Sequence, residues 1–219
     1  MFARGGLLDS DPMGSQHEDD VALMQGVQRG ELRAFEAIVQ KYRQPVANLI
    51  YRMLGDAAEA EDLTQNVFVQ VYRSADRYRV SARFTTWLFT IAKNLCLNEL
   101  RRRSRHPAES LDAPHPVHED EPRHTLADGR QPGPVAALLE EELAAKIQES
   151  LLALPENQRL ALLLWRDEEL AYEEIAAVLG CSLTAVKSLI HRARETLKRR
   201  LKPYLRTGVW EPTPGPPQL

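Results

Sequence analysis

Basic side chains, the groups that bind nucleic-acid phosphates, are concentrated in two blocks of this 219-residue sequence. Residues 93–106 carry five Lys or Arg against one acidic residue, and residues 187–206 carry eight against one. The whole chain has a formal net charge of −3, and residues 1–20 carry five acidic residues against one Arg. Because the positive charge is segregated, the sequence predicts two nucleic-acid-facing surfaces on an otherwise acidic protein.

The second basic block forms part of a pattern typical of a helix-turn-helix, in which two helices meet at a tight turn. Residues 173–179 predict a short amphipathic helix, Gly180 supplies a turn residue, and the Ser182 hydroxyl can cap the helix that follows. The apolar residues of this second helix recur at helical spacing and predict its inward face. They are Val186, Ile190, Ala193 and Leu197.

Polar and basic side chains occupy the outward face of the same helix. Its N-terminal half, the part that meets base edges when such a helix enters a major groove, carries Lys187, Ser188, His191 and Arg192. Arg194 and the basic residues after it suit phosphate contacts. Charge alone is more typical of a solvated surface helix than of a DNA-binding one. The charge together with the turn, the cap and the inward face favours duplex DNA binding.

Helical spacing also dominates the first half of the chain. Apolar residues step by three or four through residues 32–53, where Pro45 is expected to kink or split the helix and Gly55 to end it. Further helices are predicted over about residues 58–72 and 85–105. No stretch alternates apolar and polar residues as a strand does, so the predicted fold class is all-α.

Composition divides the chain into five segments. Residues 107–134 contain six prolines and six acidic residues with almost no periodic apolar signal, which is typical of a flexible linker. The predicted organisation is a disordered acidic arm (1–19), a helical domain (20–106), the linker (107–134), a helix-turn-helix domain (135–203) and a disordered tail (204–219). We therefore expect two helical domains joined by a flexible linker.

Several classes of function have no support in the sequence. No run approaches the roughly 18 apolar residues of a membrane span, and the N-terminus lacks a secretory signal, so we expect a cytoplasmic protein. Cys96 and Cys181 have no second Cys or His at ligand spacing, and we expect neither a disulfide nor a metal site. Without a phosphate loop, a dinucleotide fingerprint or a nucleophile–base pair, the sequence predicts no enzyme, no cofactor and no small-molecule substrate.

Two sets of motifs lie on either side of the predicted linker. In the first half of the chain they are AEDLTQNVF at residues 60–68 and FTTWLFTIAKN at residues 84–94. In the second half they are LPENQR at residues 154–159 and AVKSLIHRAR at residues 185–194. Together the two sets resemble the extracytoplasmic-function sigma factors of bacteria. They occur in the order that this family has, which makes the resemblance more specific than either set alone.

The resemblance implies a factor that binds core RNA polymerase, directs promoter-specific transcription initiation and catalyses nothing itself. Its implied partners are core polymerase, promoter DNA as duplex and as melted non-template strand, and an anti-sigma factor. The implied polymerase contacts are Glu61, Asp62 and Gln65. The implied minus-ten contacts are Val80, Ser81, Arg83, Phe84, Lys93, Asn94, Arg101 and Arg102. The implied minus-thirty-five contacts are Thr184, Lys187, Ser188, His191, Arg192 and Arg194.

The alternative to this interpretation is a conventional helix-turn-helix regulator. In that case residues 1–105 would form a sensor or dimerisation domain, and the protein alone would bind a palindromic duplex site as a dimer. The motifs over residues 61–68 and 84–94 argue against it, since a sensor domain has no reason to carry them.

Overall fold

A computed structural model describes residues 12–80, 83–105 and 134–210 of the chain. Within these ranges the protein consists of helices joined by turns and short loops, which confirms the predicted all-α class. The helices are α1 (Pro12–Gln28), α2 (Leu32–Leu54), α3 (Ala57–Arg73), the one-turn 3-10 helix η1 (Ala75–Arg77), α4 (Phe84–Arg105), α5 (Pro134–Leu152), α6 (Glu156–Arg166), α7 (Tyr172–Leu179) and α8 (Leu183–Thr207). The predicted linker, except for Pro134, lies outside the described residues.

The first helical unit, α1–α4, is built around the apolar stripe of α2. That stripe buries Ile38, Val46, Leu49, Ile50 and Met53 against the neighbouring helices α1, α3 and α4. The facing core residues come from α3 and α4 and are also fully or almost fully buried. They are Val67, Val71, Phe84, Leu88, Phe89 and Ala92. The spacing of apolar residues by three and four therefore acts as predicted, because each helix presents one continuous side to the core.

Local signals set the junction between α2 and α3. Gly55 has φ 72° and ψ 18°, a left-handed conformation that an L side chain rarely adopts, and its N–H donates to the Tyr51 carbonyl. The Asp56 carboxylate then caps α3 by accepting from the Glu59 N–H at 3.0 Å. Pro45 neither splits nor ends α2, which continues through it from Leu32 to Leu54. The burial of residues on both sides of Pro45 outweighs the one backbone hydrogen bond that a proline removes.

The second helical unit, α5–α8, contains the helix-turn-helix. Its core is formed mainly by α6, whose buried residues include Leu160, Leu163 and Leu164, together with Ile175 and Val178 of α7. The buried residues of α8 pack on this core, and α5 contacts α8 from outside. The unit thus holds α8 along one side and leaves the opposite side of that helix exposed.

Two of the predicted segment boundaries differ from the helix bounds. Helix α1 begins at Pro12, inside the segment predicted as a disordered arm, and its Asp20 is buried beside Tyr42. Helix α8 continues to Thr207, inside the segment predicted as a tail, and the Trp210 indole donates to the Glu149 carboxylate at 2.8 Å. In both cases a contact with another helix orders residues whose own composition gives no helical signal.

The two helical units pack against each other. Helix α4 contacts α7, and α2 contacts both α5 and α6. Arg52 of α2 lies 3.5 Å from Asp167, and the Gln148 amide of α5 donates to the Tyr51 carbonyl at 3.4 Å. A side chain on Gly55 would meet Leu152 of α5 at 2.7 Å, so this glycine also permits the close approach of the two units.

No single helix in the described part of the chain is both long and apolar enough to cross a membrane. Helices α7 and α8 meet the length and composition criteria only as a pair, and that pair is bent by 98°.

The partly buried carboxyl group of Glu168 lies beside the junction of the two units. Burial raises the pKa of Glu168 to about 7, with Asp167 adding to the rise and Arg52 opposing it. Glutamate in an unfolded chain has a pKa of about 4.3. Between this value and the folded pKa, the folded protein therefore keeps a proton that the unfolded chain releases. The stability associated with this proton is fully present below the unfolded value and is lost as the pH rises through the folded value.

We predict that Glu168→Gln raises the free energy of unfolding by up to about 3 kcal/mol at pH 8 and by progressively less towards pH 5. The amide occupies the site without needing a proton. Urea denaturation across this pH range measures the effect, and Glu141→Gln, at an exposed position of α5, is the matched control. A stabilisation that does not change with pH would contradict this assignment.

Candidate nucleic-acid interface

The recognition helix α8 has one buried and one exposed face. Gly180 ends α7 at φ 67° and ψ 38°, and the Ser182 hydroxyl accepts from the Ala185 N–H at 3.2 Å at the start of α8. Val186, Ile190 and Ala193 of the predicted inward face are buried. Leu197, the fourth, is partly buried and packs against the same core.

All six side chains expected at the minus-thirty-five element are exposed on α8. They are Thr184, Lys187, Ser188, His191, Arg192 and Arg194. The Ser188 hydroxyl donates back to the Thr184 carbonyl at 3.0 Å, and the Arg194 guanidinium lies over the Trp165 ring at 5.2 Å. Since Thr184, Lys187 and Ser188 are exposed in the first turns of α8, this helix can present polar and cationic groups to the edges of base pairs.

The segment between η1 and α4 is held at both ends by aromatic rings. Tyr78 before it and Phe84 after it are buried, with ring centroids 6.0 Å apart, and Trp87 packs against both. Tyr42 of α2 completes this aromatic floor, 5.2 Å from the Phe84 ring. The chain therefore leaves the core at Tyr78 and re-enters it at the neighbouring Phe84, and the connection between them is called the loop below.

The residues expected in this loop differ in their exposure to solvent. Val80 is 52% exposed and Arg83 is partly exposed, while Ser81 lies outside the described residues. Phe84 is 0% exposed, so its ring supports the base of the loop and is not available to stack on a nucleotide in this arrangement. Sequence reasoning grouped it with the loop because an aromatic residue beside basic ones is equally suited to either role.

The remaining minus-ten candidates lie along α4. Asn94 and Arg101 are exposed, and Arg102 is exposed but pairs bidentately with Glu99 at 2.7 and 2.9 Å. Burial would raise the pKa of Glu99, but hydrogen bonds from Arg102 and Arg103 outweigh that effect and lower it. The basic block at the end of α4 is therefore partly neutralised by a buried carboxylate of the same helix.

Two of the expected phosphate-binding cations face the second helical unit. The Lys93 ammonium donates to the Val178 carbonyl of α7 at 2.7 Å, and the Arg83 guanidinium lies 3.5 Å from the Glu174 carboxylate. Burial at this contact lowers the pKa of Lys93. The sequence gives no sign of either contact, because the partners are far apart along the chain.

The residues expected to contact polymerase share one exposed face of α3. Glu61, Asp62 and Gln65 are all exposed, and Gln65 also lines a groove of about 530 Å³ between α2 and α3. The lining of that groove is largely apolar and includes Val69 and Tyr72, which are 45% and 47% exposed. The groove continues the polar face of α3 and enlarges the surface that a partner protein can cover.

Sequence reasoning missed a buried polar group beneath the loop. The Asp20 carboxylate of α1 accepts from the Tyr42 hydroxyl at 2.5 Å and from the Lys41 ammonium at 2.6 Å. Burial is the main cause that raises the pKa of Tyr42, and the Asp20 hydrogen bond adds to it. Gln28 of the same helix donates to the Ala75 carbonyl at 2.9 Å. Helix α1 therefore contacts both the aromatic floor and η1 and holds them in place relative to each other.

Each of the two helical units matches the model of a known protein family. The family model for Sigma-70 region 2 matches residues 38–106, and that for Sigma-70, region 4 matches residues 144–197. The RNA polymerase sigma-H factor of Pseudomonas aeruginosa is 39% identical over 189 residues, which are 86% of this chain and 97% of that protein. This chain belongs to the extracytoplasmic-function family of RNA polymerase sigma factors.

Two further relatives extend the comparison. The ECF RNA polymerase sigma factor SigW of Bacillus subtilis is 35% identical over 178 residues, which are 80% of this chain and 93% of that protein. The sigma factor RpoE of Bartonella quintana, solved in complex with the anti-sigma factor NepR, matches with a TM-score of 0.59. That structural match has 23% identity and covers 77% of this chain and 96% of that chain, and it supports the fold alone.

We predict that Tyr42→Phe lowers the free energy of unfolding of this sigma factor by about 1–2 kcal/mol, because the buried Asp20 carboxylate loses a donor. Chemical denaturation measures the loss. Tyr72→Phe removes a hydroxyl from a ring that is 47% exposed and is the matched control, which should remain close to wild type. Equal effects of the two substitutions would show that the Asp20 contact contributes nothing.

Proposed function

We propose that this sigma factor divides promoter recognition between its two helical units. The exposed face of α8 binds the minus-thirty-five element as duplex, and the loop and exposed face of α4 hold the melted minus-ten strand. The observation that carries the proposal is the recognition helix, which presents polar and cationic side chains outward and is fixed by a buried apolar face. Val80, Arg83, Lys93, Asn94, Arg101 and Arg102 are the minus-ten contacts that retain this role, and we assign their cationic side chains to the phosphates of the strand.

Binding to core RNA polymerase belongs to α3. An exposed carboxylate and amide, on Asp62 and Gln65, lie beside the apolar groove that ends near Tyr72. Interfaces combine an apolar centre with a polar rim, and this surface offers both. We assign the contact with the largest polymerase subunit to it.

Promoter binding requires the two units to separate. The two promoter elements lie about 25 base pairs apart, which is roughly 85 Å of duplex at 3.4 Å per base pair. In the structure α4 and α7 touch, with 2.7 Å between Lys93 and the Val178 carbonyl. Residues 106–133, which connect the units, can reach about 95 Å when fully extended, so the length of the connection permits the separation.

Three further properties follow from membership of the family. Its members are not enzymes in general, and we infer that this chain acts by binding alone. Because its polymerase and promoter partners are in the cytoplasm, we place its activity there. The Bartonella relative was solved with an anti-sigma factor, and we propose that a partner of this class also restrains this protein.

Run-off transcription tests the proposed function. Purified core RNA polymerase should initiate at new, defined sites on genomic fragments only when this protein is added. Mapping those sites identifies both promoter elements. Absence of new start sites, combined with specific duplex binding by a stable dimer of the free protein, would instead establish a conventional regulator.

The recognition helix provides a control within the same assay. The double variant Lys187→Ala and Arg192→Ala should reduce transcription by roughly tenfold or more, since each base or phosphate contact contributes about 1 kcal/mol or more. The double variant Arg29→Ala and Arg33→Ala removes the same charge from exposed positions near the start of α2 and should leave transcription close to the wild-type level.

We predict that Asp62→Lys weakens binding to core polymerase by at least about tenfold, because charge reversal at a protein interface places like charges or unpaired charges in contact. Competition with a labelled wild-type factor for core polymerase measures the loss. Asp76→Lys, at an exposed aspartate of η1, is the matched charge reversal. Equal competition by both variants would show that this face of α3 is not part of the interface.

A further inference from the structure

The contact between α4 and α7 joins groups of opposite charge. On one side are Arg83 and Lys93, which the proposed function assigns to DNA phosphates. On the other side are the Glu174 carboxylate and the Val178 carbonyl of α7, at 3.5 and 2.7 Å respectively. Each cation thus meets an oxygen of the same protein at the place where it would meet an oxygen of DNA.

Both acceptors have the chemistry of a phosphate substitute. The Val178 carbonyl lies in the last turn of α7, where carbonyls lack intrahelical donors and carry the negative end of the helix dipole. The Glu174 side chain is only 15% exposed, and one of its oxygens caps α7 by accepting from the Ala171 N–H at 2.9 Å. Its other oxygen has no hydrogen-bond partner in the described part of the chain and faces Arg83.

We propose that Glu174 and the Val178 carbonyl form an intramolecular latch that mimics DNA phosphates and masks the minus-ten surface of the free protein. The inference rests on the proposed function, because that function makes Arg83 and Lys93 phosphate ligands. Latch closure and minus-ten binding use the same cations, so each excludes the other. Opening the latch also provides the separation that two distant promoter elements require.

The contacts that hold the closed state are weak enough for it to open. The Arg83 pair is long at 3.5 Å, and its guanidinium is 41% exposed, so water and salt compete with it. Arg159 of α6 is 5% exposed, its Nε has no hydrogen-bond partner among the described residues, and it lies close enough to Cys96 of α4 to affect that thiol's pKa. A buried guanidinium nitrogen without a hydrogen-bond partner carries a desolvation cost, which separation of the units can relieve by rehydrating it.

Glu174→Gln tests the latch with a small change. The amide oxygen of glutamine can still accept from the Ala171 N–H, so the cap of α7 is retained while the charge facing Arg83 is lost. Glu173→Gln is the matched control, because it makes the same charge change at an exposed position of the same helix. Circular dichroism at the assay temperature verifies that both full-length variants are folded.

The first measurement is the rate at which acetic anhydride modifies Lys93, followed by peptide mass spectrometry of the full chain. The Lys93 ammonium is engaged in the closed state, so its rate follows the open fraction. We expect this rate to be roughly fivefold higher in Glu174→Gln than in Glu173→Gln, as expected for the loss of one partly exposed ion pair. Lys187, exposed on α8, is the internal reference and should react equally in both.

The second measurement is the affinity of each free variant for a fluorescein-labelled, mixed-sequence single strand of 20 nucleotides. We expect Glu174→Gln to bind roughly fivefold more tightly than Glu173→Gln at low salt, since apparent affinity follows the open fraction. An unchanged Lys93 rate would overturn the latch. A faster Lys93 rate with unchanged DNA affinity would overturn its masking of the minus-ten surface.

The two proposals fail in different ways. If both measurements change as expected but run-off transcription yields no start sites, the latch stands and the sigma assignment of the DNA surface fails. If start sites appear but Lys93 reacts equally in both variants, the sigma function stands and the latch fails.

Discussion

The burial of the apolar stripe of α2 is the interaction on which the rest of the structure depends. This helix packs against α1, α3 and α4 within its own unit and against α5 and α6 of the other unit. Its fully buried side chains, among them Ile38, Val46 and Ile50, each contribute about 2 kcal/mol by leaving water. The continuity of this stripe explains why Pro45 does not divide the helix and why the exposed face of α3 that carries Asp62 and Gln65 is firmly supported.

Electrostatic competition is the second constraint, and it explains how an acidic protein can bind DNA selectively. Carboxylates within the fold already engage several of the cations that phosphates would attract, as Glu99 does with Arg102 and Glu174 does with Arg83. At these two cations a phosphate must therefore replace an existing partner. Such exchange reduces the free energy gained from non-specific phosphate contacts. Contacts that depend on sequence and on strand opening therefore make up a larger share of the binding free energy.

The aromatic floor beneath the loop links the two constraints. Tyr42 belongs to the apolar stripe of α2, yet its hydroxyl is bound to the Asp20 carboxylate of α1. The same ring packs on Phe84, which begins α4 and closes the base of the loop. The base of the loop is thus positioned by buried groups from three helices, and stability and the proposed promoter contact are joined at this site.

The sequence by itself determined the features that depend on neighbours along the chain. The apolar spacing of α2 and α8, the left-handed Gly180 and the Ser182 cap are all local, so the helix-turn-helix and the outward face of α8 could be predicted. Only the tertiary structure decided which helix faces which. The contact of Lys93 with Val178 joins residues 85 positions apart, the burial of Phe84 depends on Tyr42 and Tyr78, and the ordering of α1 and Trp210 depends on partners in other helices. Periodicity assigns a residue to a side of its own helix, but burial and pairing depend on what packs against that side.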